Sequence, residues 1–322
     1  MGPEKMNFIM RVYNMYKIVG IAHAVGDALG APYERYHNTD REWTGRMTLP
    51  PRTHSEYHGI REGVVGQWTD DTEMAACLVW SMLKLGWNYD RDVVLLKYMQ
   101  WANSKPIGMG KHTASLFRGI KTLKSYAKRA AALLADPANL QSNGSLMRAW
   151  PLAFEKDHSY ETVIADCDLT NPNDINRDCS MVYIMILRKF IYGRAEFDFS
   201  CAKSELVQLW IDYALSDALK GTFSVQFKPD SHSWVIYGLY FAVWAAVVPI
   251  EEPHKIYEAI LSCRIDPDTT CAIAGAVIGA RFGRALLADP VFAEWRDTVL
   301  GCDTSGGAWP RPEDLRPATY YG

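Results

Sequence analysis

The chain has 322 residues, of which 48% are hydrophobic and 22% are charged, as in an ordinary globular protein. Its formal net charge of −3 supplies no overall field that would attract nucleic acid or an acidic membrane. The seven cysteines are scattered without a C-x-x-C pair, which argues against a disulfide framework and against zinc. We therefore expect a reducing, cytoplasmic setting, and the length allows one large domain or two ordinary ones.

Apolar residues recur at helical spacing along most of the chain, whereas strand patterns closed by hairpin turns are scarce. The predicted fold class is therefore all-α, in a compact multi-helix domain. In chain order, helices are predicted over residues 7–25, 71–85, 91–102, 113–135, 160–166, 178–191, 203–219, 234–248, 254–262 and 269–287. The longest irregular stretch, residues 36–67, is typical of a lid or a binding loop.

Two of these segments have an unusual composition. Residues 231–250 carry no full charge and have the minimum length of a membrane span, but Gly238 and Pro249 interrupt them, so a buried core helix is expected. The last predicted helix is rich in alanine and glycine. Because glycine inside a helix costs about 1 kcal/mol relative to alanine, this composition indicates a central helix that other backbones approach closely.

Two short acidic clusters lie far apart in the sequence, each directly before a predicted helix. They are Thr69-Asp70-Asp71-Thr72 and Asp266-Pro267-Asp268-Thr269-Thr270. Either cluster could simply begin a helix, because Asp and Thr are preferred N-caps, Asp70 has capping-box spacing to Glu73, and Pro267 suits the first helical position. If the fold brings the clusters together, four carboxylates would repel one another, and one or two hard divalent cations would resolve the conflict.

Two glycine-containing loops precede further helical segments. Residues 103–112 and 141–148 could bring backbone N–H groups close to a phosphate, or could be ordinary turns.

Taken in order, five segments resemble the ADP-ribosylglycohydrolase family, which includes the dinitrogenase reductase-activating glycohydrolases. The resemblance spans roughly residues 18–285, and the combination of the two acidic motifs is its most specific part. The segments are Gly26-Asp27-Ala28-Leu29-Gly30 with Glu34; Trp68-Thr69-Asp70-Asp71-Thr72-Glu73-Met74; Gly108-Met109-Gly110 with Thr113; Asn143-Gly144-Ser145-Leu146-Met147-Arg148 with Pro151-Leu152; and Asp266-Pro267-Asp268-Thr269 with Ala274-Gly275 and Gly279-Ala280.

This resemblance implies a single, roughly orthogonal all-α domain over residues 1–322, with a cleft that holds two ions, Mg²⁺ or Mn²⁺. By position, it implies the metal ligands Thr69, Asp70, Asp71, Asp266, Asp268 and Thr269. Glu34 matches a glutamate that touches a metal or acts on the scissile bond in relatives, and Glu34, Asp70 and Asp71 are the catalytic candidates. The implied substrate-binding residues are Gly108, Met109, Gly110, Asn143, Gly144, Ser145, Met147, Arg148 and Asn171. For Arg148, a buried carboxylate and a substrate phosphate remain equal alternatives as partner.

The sequence departs from the family pattern at three places. Cys263-Arg264-Ile265 stands where the family has two glycines before the second acidic motif, which would crowd a close approach. Thr170-Asn171 replaces threonine-histidine near the nucleoside. Gly108-Met109-Gly110 lacks the aspartate of the arginine-specific bacterial branch, which removes one base for release of a guanidinium.

The function implied is a metal-dependent hydrolase that releases ADP-ribose from a modified protein side chain (arginine or serine) or from a nucleic acid base. One alternative is a non-catalytic member that binds ADP-ribose or neutralises an ADP-ribosyltransferase toxin, as immunity proteins do. A second alternative is a two-metal phosphohydrolase that acts on a nucleotide. The partners expected are the ADP-ribosylated substrate, the ADP-ribose product and, in the immunity case, the toxin.

Overall fold

The computed structural model describes residues 2–34, 43–45, 47, 52–55, 59–136, 140–193 and 197–322. This part of the chain is built almost entirely of helices, which confirms the all-α fold class. It adds one antiparallel hairpin of strands β1 (Arg52–Ser55) and β2 (Gly59–Glu62). The helices are α1 (Pro3–Gly30), α2 (Asp70–Lys84), α3 (Arg91–Ala102), α4 (Lys111–Phe117), α5 (Leu123–Leu133), α6 (Tyr160–Cys167), α7 (Asp174–Tyr192), α8 (Glu205–Lys220), α9 (Val235–Val247), α10 (Pro253–Cys263), α11 (Pro267–Phe282), α12 (Arg284–Ala288), α13 (Pro290–Leu300) and α14 (Pro317–Tyr321).

Two of the predicted helices are interrupted. The single helix predicted over residues 113–135 is wrong, because Gly119 adopts a φ of +76° between α4 and α5, and Thr122 caps α5 by accepting a hydrogen bond from the Ser125 N–H. The helix predicted over 269–287 ends early because Gly283 takes a φ of +53°, and α12 follows. The hairpin lies within residues 36–67, a stretch that falls partly outside the described residues.

Helices α1 and α11 form the centre of the core and run antiparallel in contact with each other. A Cβ added at Gly26 would lie 2.0 Å from the Cys271 carbonyl oxygen, and one added at Gly275 would lie 2.5 Å from the Ala22 carbonyl oxygen. Only glycine allows such an approach, since real Cβ atoms essentially never come within 3.0 Å of other heavy atoms. Every residue of α11 from Pro267 to Ala280 is buried, as its small side chains predict.

Helix α9 occupies most of the uncharged segment at residues 231–250, and its residues from Val235 to Ala246 are all buried. The expected core helix is therefore confirmed. Among the described helices, not one combines the length and the apolar character that a membrane crossing requires.

The antiparallel packing of α1 and α11 determines where the two acidic motifs can meet. It brings the C-terminal end of α1, with Asp27 and Gly30, against the N-terminal end of α11. A Cβ added at Gly30 would lie 2.2 Å from the Pro267 carbonyl carbon and the Asp268 nitrogen. The chain then continues through a 3₁₀ turn, Ala31–Tyr33, to Glu34. Three helix ends therefore converge, because α2 also begins beside Asp27.

Candidate metal centre and substrate cleft

The first acidic cluster forms the first turn of α2. Thr69 occupies the N-cap position, but its side chain makes no capping hydrogen bond. Its hydroxyl instead donates to Asp27 Oδ1 at 2.7 Å. Asp70 and Asp71 are the first two helical residues and are both buried. The capping-box interpretation of Asp70 and Glu73 is wrong, because the cap position belongs to Thr69 and Glu73 binds Arg311.

Asp27 on α1 holds this first turn in place. Its carboxylate accepts the backbone N–H groups of Thr69 and Thr72, each at 3.0 Å to Oδ2, and both of their hydroxyls. These bonds satisfy N–H groups that have no partner within a helix. Asp27 lies in a motif that carried the family resemblance, but sequence reasoning gave it no role.

The second acidic cluster forms the start of α11. Asp266 stands at the predicted N-cap position, with Pro267 as the first helical residue, yet its side chain makes no capping hydrogen bond. Its backbone adopts a left-handed conformation with a φ of +46°, which is costly for a residue other than glycine. Its Oδ2 accepts a hydrogen bond from Asn143 Nδ2 at 2.6 Å. The side chain of Asp266 is therefore used across the cleft rather than as a helix cap.

The fold brings the two clusters together, although 198 positions separate Asp71 and Thr269. The Thr269 hydroxyl donates to Asp71 Oδ2 at 3.4 Å. On the other side, Glu34, Asp266 and Asp268 each offer a carboxylate oxygen within 4.8 Å of the others. The structure thus places the residues predicted as ligands and catalytic groups around one site where three helix ends meet.

The carboxylates of this site are buried and repel one another. Burial raises the pKa of Asp70 and Asp71 well above its usual range, and neighbouring carboxylates, including Asp27 and Glu34, raise it further. Burial and the charges of Glu34 and Asp266 do the same for Asp268. So many acidic groups cannot all be ionised together in a dry site unless a cation compensates them.

These residues fit a hard divalent cation. All the candidate ligands present oxygen, the donor that Mg²⁺ and Mn²⁺ prefer. Asp71 Oδ1 is buried and has no hydrogen-bond partner among the described residues, although a buried carboxylate oxygen normally has one. A cation would satisfy that oxygen and offset the mutual repulsion of the carboxylates.

The first glycine loop passes directly over the α2 cluster. Gly108 has a φ of +77°, and a Cβ added to it would lie 2.7 Å from Asp70 Oδ1 and 3.3 Å from Thr69 Cβ. Both the left-handed backbone and this contact require glycine. Met109 and Gly110 are half-buried, and Gly110 is the N-cap residue of α4. This loop therefore lies at the edge of the acidic site, where a substrate would meet its backbone.

The second loop lies near the first, since a Cβ added at Gly144 would lie 3.9 Å from Thr113 Oγ1 of α4. Asn143 contacts Asp266, and Gly144 is half-buried. The Ser145 hydroxyl instead accepts from Asn176 Nδ2 at 3.0 Å, on the side of α7. The Met147 carbonyl bonds to His23 Nε2 at 2.8 Å, and burial lowers the pKa of this histidine to about 4. The loop is thus anchored from behind by buried polar groups.

Arg148 belongs to this anchoring network. Its side chain is fully buried, and its Nε donates to Asp166 Oδ2 at 3.0 Å. Its Nη1 donates to the Gly144 carbonyl at 2.6 Å and to the Thr170 hydroxyl at 3.0 Å. Of the two alternatives for Arg148, the structure therefore shows the buried carboxylate.

Asn171 is also fully buried behind the same loop. Its Nδ2 donates to the Leu140 carbonyl at 2.7 Å and its Oδ1 accepts from the Thr170 hydroxyl at 2.7 Å. Ser145, Met147, Arg148 and Asn171 thus support the loop through buried hydrogen bonds. They stay predicted substrate-binding residues, together with Gly108, Met109, Gly110, Asn143 and Gly144.

The sequence departure before Asp266 has a clear backbone consequence. Arg264 is the C-cap of α10 with a φ of +53°, a left-handed conformation that favours glycine. Its side chain is exposed, whereas Ile265 is buried. An arginine at this position therefore adds backbone strain next to the site.

Known proteins resemble this chain over most of its length. The ADP-ribosylglycohydrolase family model matches residues 17–311. Over 315 residues the chain is 24% identical to the protein named Putative ADP-ribosyl glycohydrolase L543 of Acanthamoeba polyphaga mimivirus. The matched region covers 87% of this chain and 89% of that protein. Over 304 residues it is 24% identical to ADP-ribosylarginine hydrolase Tri1 of Serratia proteamaculans (strain 568), with coverage of 88% and 74%.

A solved structure shares the fold. The chain superposes on an ADP-ribosylglycohydrolase-related protein complex with a TM-score of 0.57 and 23% identity, over 89% of this chain and 96% of that one. The family model and the shared fold agree with the resemblance that the sequence motifs carry. This chain belongs to the ADP-ribosylglycohydrolase family.

Proposed function

We propose that this protein is a metal-dependent hydrolase that releases ADP-ribose from an ADP-ribosylated protein side chain or nucleic acid base. Family membership supports glycohydrolase activity in general terms. The observation that carries the proposal is the meeting of Asp71 with Thr269, beside the cluster of Glu34, Asp266 and Asp268. The name of the relative Tri1 favours ADP-ribosylarginine as the first substrate to test.

Two divalent ions, Mg²⁺ or Mn²⁺, are proposed as the cofactors. Their ligands would be Thr69, Asp70 and Asp71 from the side of α2, and Asp266, Asp268 and Thr269 from the side of α11. When bound, such ions supply Lewis-acid polarisation of the ribose hydroxyls and of the attacking water. The orphaned Asp71 Oδ1 and the raised carboxylate pKa values support this assignment.

The chain itself would supply positioning and proton transfer. Cleavage at the ribose carbon that carries the leaving group passes through a cation-like state, which the surrounding carboxylates favour electrostatically. Glu34, Asp70 and Asp71 are the candidates to accept the proton of the attacking water. Glu34 is only half-buried and reaches the site from the 3₁₀ turn after α1, so it can contact a substrate directly.

The two glycine loops would hold the substrate. Gly108 lies against Asp70 and Thr69, and Asn143 contacts Asp266, so both loops border the acidic site. Backbone N–H groups in such loops suit a diphosphate, because they approach it closely and carry partial positive charge. The ADP-ribose would then lie along the two loops, with the scissile bond at the carboxylates.

Release of free ADP-ribose tests this proposal. The purified protein is incubated with arginine-linked, serine-linked and nucleic acid-linked ADP-ribose, with Mg²⁺ or Mn²⁺ present. Release from at least one substrate, abolished by EDTA, is the expected result. A folded protein that binds the metal but releases ADP-ribose from none of the three would refute it. Release of inorganic phosphate instead would indicate a phosphohydrolase.

A further inference from the structure

A buried guanidinium connects the candidate metal helix to the first glycine loop. Arg311 lies far along the chain from both, and its side chain is 1% exposed, as is that of Glu73. Its Nε donates to Glu73 Oε1 at 2.5 Å and its Nη2 donates to Glu73 Oε2 at 2.9 Å, which makes a bidentate ion pair. Glu73 is in the first turn of α2, two residues after Asp71 of the acidic site.

The same guanidinium holds the start of the loop. Its Nη1 donates to the Ser104 carbonyl at 2.9 Å and to the Lys105 carbonyl at 3.2 Å. Its Nη2 also donates to the Ser104 hydroxyl at 2.8 Å. Lys105 has a left-handed φ of +59°, so the loop is locally strained and needs outside contacts to keep this shape.

The geometry couples these contacts to the site. The segment from Ser104 leads within a few residues to Gly108, which lies against Asp70 and Thr69. Glu73 is itself fixed from a third direction, because Trp101 Nε1 donates to its Oε2 at 2.8 Å. The planar guanidinium of Arg311 therefore fixes the distance between the first glycine loop and the start of α2.

We infer that Arg311 is a positioning residue for ADP-ribose binding, acting through Glu73 on α2 and through the carbonyls of Ser104 and Lys105 on the glycine loop. This inference rests on the proposed function, because it takes that loop as part of the substrate site. Lysine in place of Arg311 keeps the positive charge opposite Glu73, but it cannot form the bidentate pair and reach both carbonyls together.

The test compares Arg311→Lys with a matched control, Arg188→Lys. Arg188 is equally buried and donates to the carbonyls of His158 and Leu152, neither of which belongs to the candidate site. Two measurements are made: hydrogen–deuterium exchange of residues 104–110, and calorimetric titration with ADP-ribose in the presence of Mn²⁺. Both variants are expected to unfold at a lower temperature than the wild type, so both measurements are made well below that temperature.

In Arg311→Lys, the loop amides should exchange about tenfold faster and the Kd for ADP-ribose should rise about tenfold, because the lost hydrogen bonds hold the loop shape. Arg188→Lys should change neither. Should Arg311→Lys fail to fold, Ser104→Ala removes the bond from Arg311 Nη2 and the bond from the Ser104 hydroxyl to the Trp101 carbonyl, while leaving the ion pair intact. The same two effects, smaller in size, are expected.

Unchanged exchange or unchanged ADP-ribose affinity in Arg311→Lys would overturn the inference, as would an equal loss of affinity in Arg188→Lys. A wild-type protein that does not bind ADP-ribose at all would instead overturn the proposed function and the inference with it. The two failures are therefore distinguished by the wild type alone.

Discussion

Substitution of Asp27 by asparagine should weaken divalent-ion binding, although Asp27 is not a proposed ligand. Its carboxylate accepts the N–H groups and hydroxyls of Thr69 and Thr72. Asparagine keeps one acceptor oxygen and presents an NH₂ group in place of the other. If the oxygen remains with Thr69, the Thr72 N–H loses its acceptor, and the start of α2 is no longer held from both sides.

The size of the effect follows from these bonds. A buried N–H left without a partner costs about 1–3 kcal/mol, and a hydroxyl can turn to another acceptor. For a chain of 322 residues, a loss of about 2 kcal/mol lowers the melting temperature by roughly 3 °C. Removal of the Asp27 charge also relieves repulsion on Asp70 and Asp71, which offsets part of this loss. Metal affinity should fall about 10–100-fold, as is usual when a partner that orients ligands is lost.

Calorimetric titration with Mn²⁺ and thermal unfolding measure the two effects. Asp217→Asn is the matched control, because Asp217 is equally buried and accepts the Ser224 N–H, the Ser224 hydroxyl and the Tyr240 hydroxyl. Both variants should lose stability, but only Asp27→Asn should lose Mn²⁺ affinity. An unchanged Mn²⁺ affinity in Asp27→Asn, or an equal loss in Asp217→Asn, would refute the reasoning.

Three further predictions follow from the same geometry. Arg264→Gly should raise the free energy of unfolding by about 0.5–1 kcal/mol, because glycine adopts the φ of +53° without strain; no gain in thermal or urea unfolding would contradict this. Mn²⁺ affinity should fall as the pH is lowered from about 8 to about 5, because protons compete with the cation for Asp70, Asp71 and Asp268, whose pKa values are raised; a pH-independent Kd by calorimetry would argue against it. The double substitution Asp70→Ala and Asp268→Ala should abolish ADP-ribose release; if a host remained protected from an ADP-ribosyltransferase toxin by this variant, neutralisation by binding would replace turnover as the function.

Much of the fold could be predicted from local signals. Helices α2 and α3 were placed within a residue at each end, because polar caps and apolar spacing agree there. Helix α1 runs from Pro3 to Gly30, further than the predicted range 7–25, and Gly26 inside it permits close contact with Cys271. Helix α13 was missed, although Asp289 before Pro290 is an N-cap signal and its carboxylate accepts the Val291 and Phe292 N–H groups.

The candidate site could also be predicted only in part from the sequence. The sequence carries the ligand candidates in two motifs, and the structure brings these motifs together, but which side of the loop each neighbouring residue faces depends on tertiary packing. For Arg148 the sequence left a buried carboxylate and a phosphate as equal alternatives, and the structure pairs it with Asp166. The pair of Glu73 and Arg311 spans 238 positions, and no local pattern predicts a contact at that separation.

The central claim is that the starts of α2 and α11, together with Glu34, form one site for divalent cations. Anomalous X-ray diffraction from crystals of this protein grown with Mn²⁺ tests it most directly. We expect manganese peaks at about 2.0–2.3 Å from oxygens of Asp70, Asp71, Asp266 and Asp268, as hard-cation coordination requires. A well-ordered site without manganese at saturating concentration, or manganese bound only elsewhere on the protein, would contradict the account.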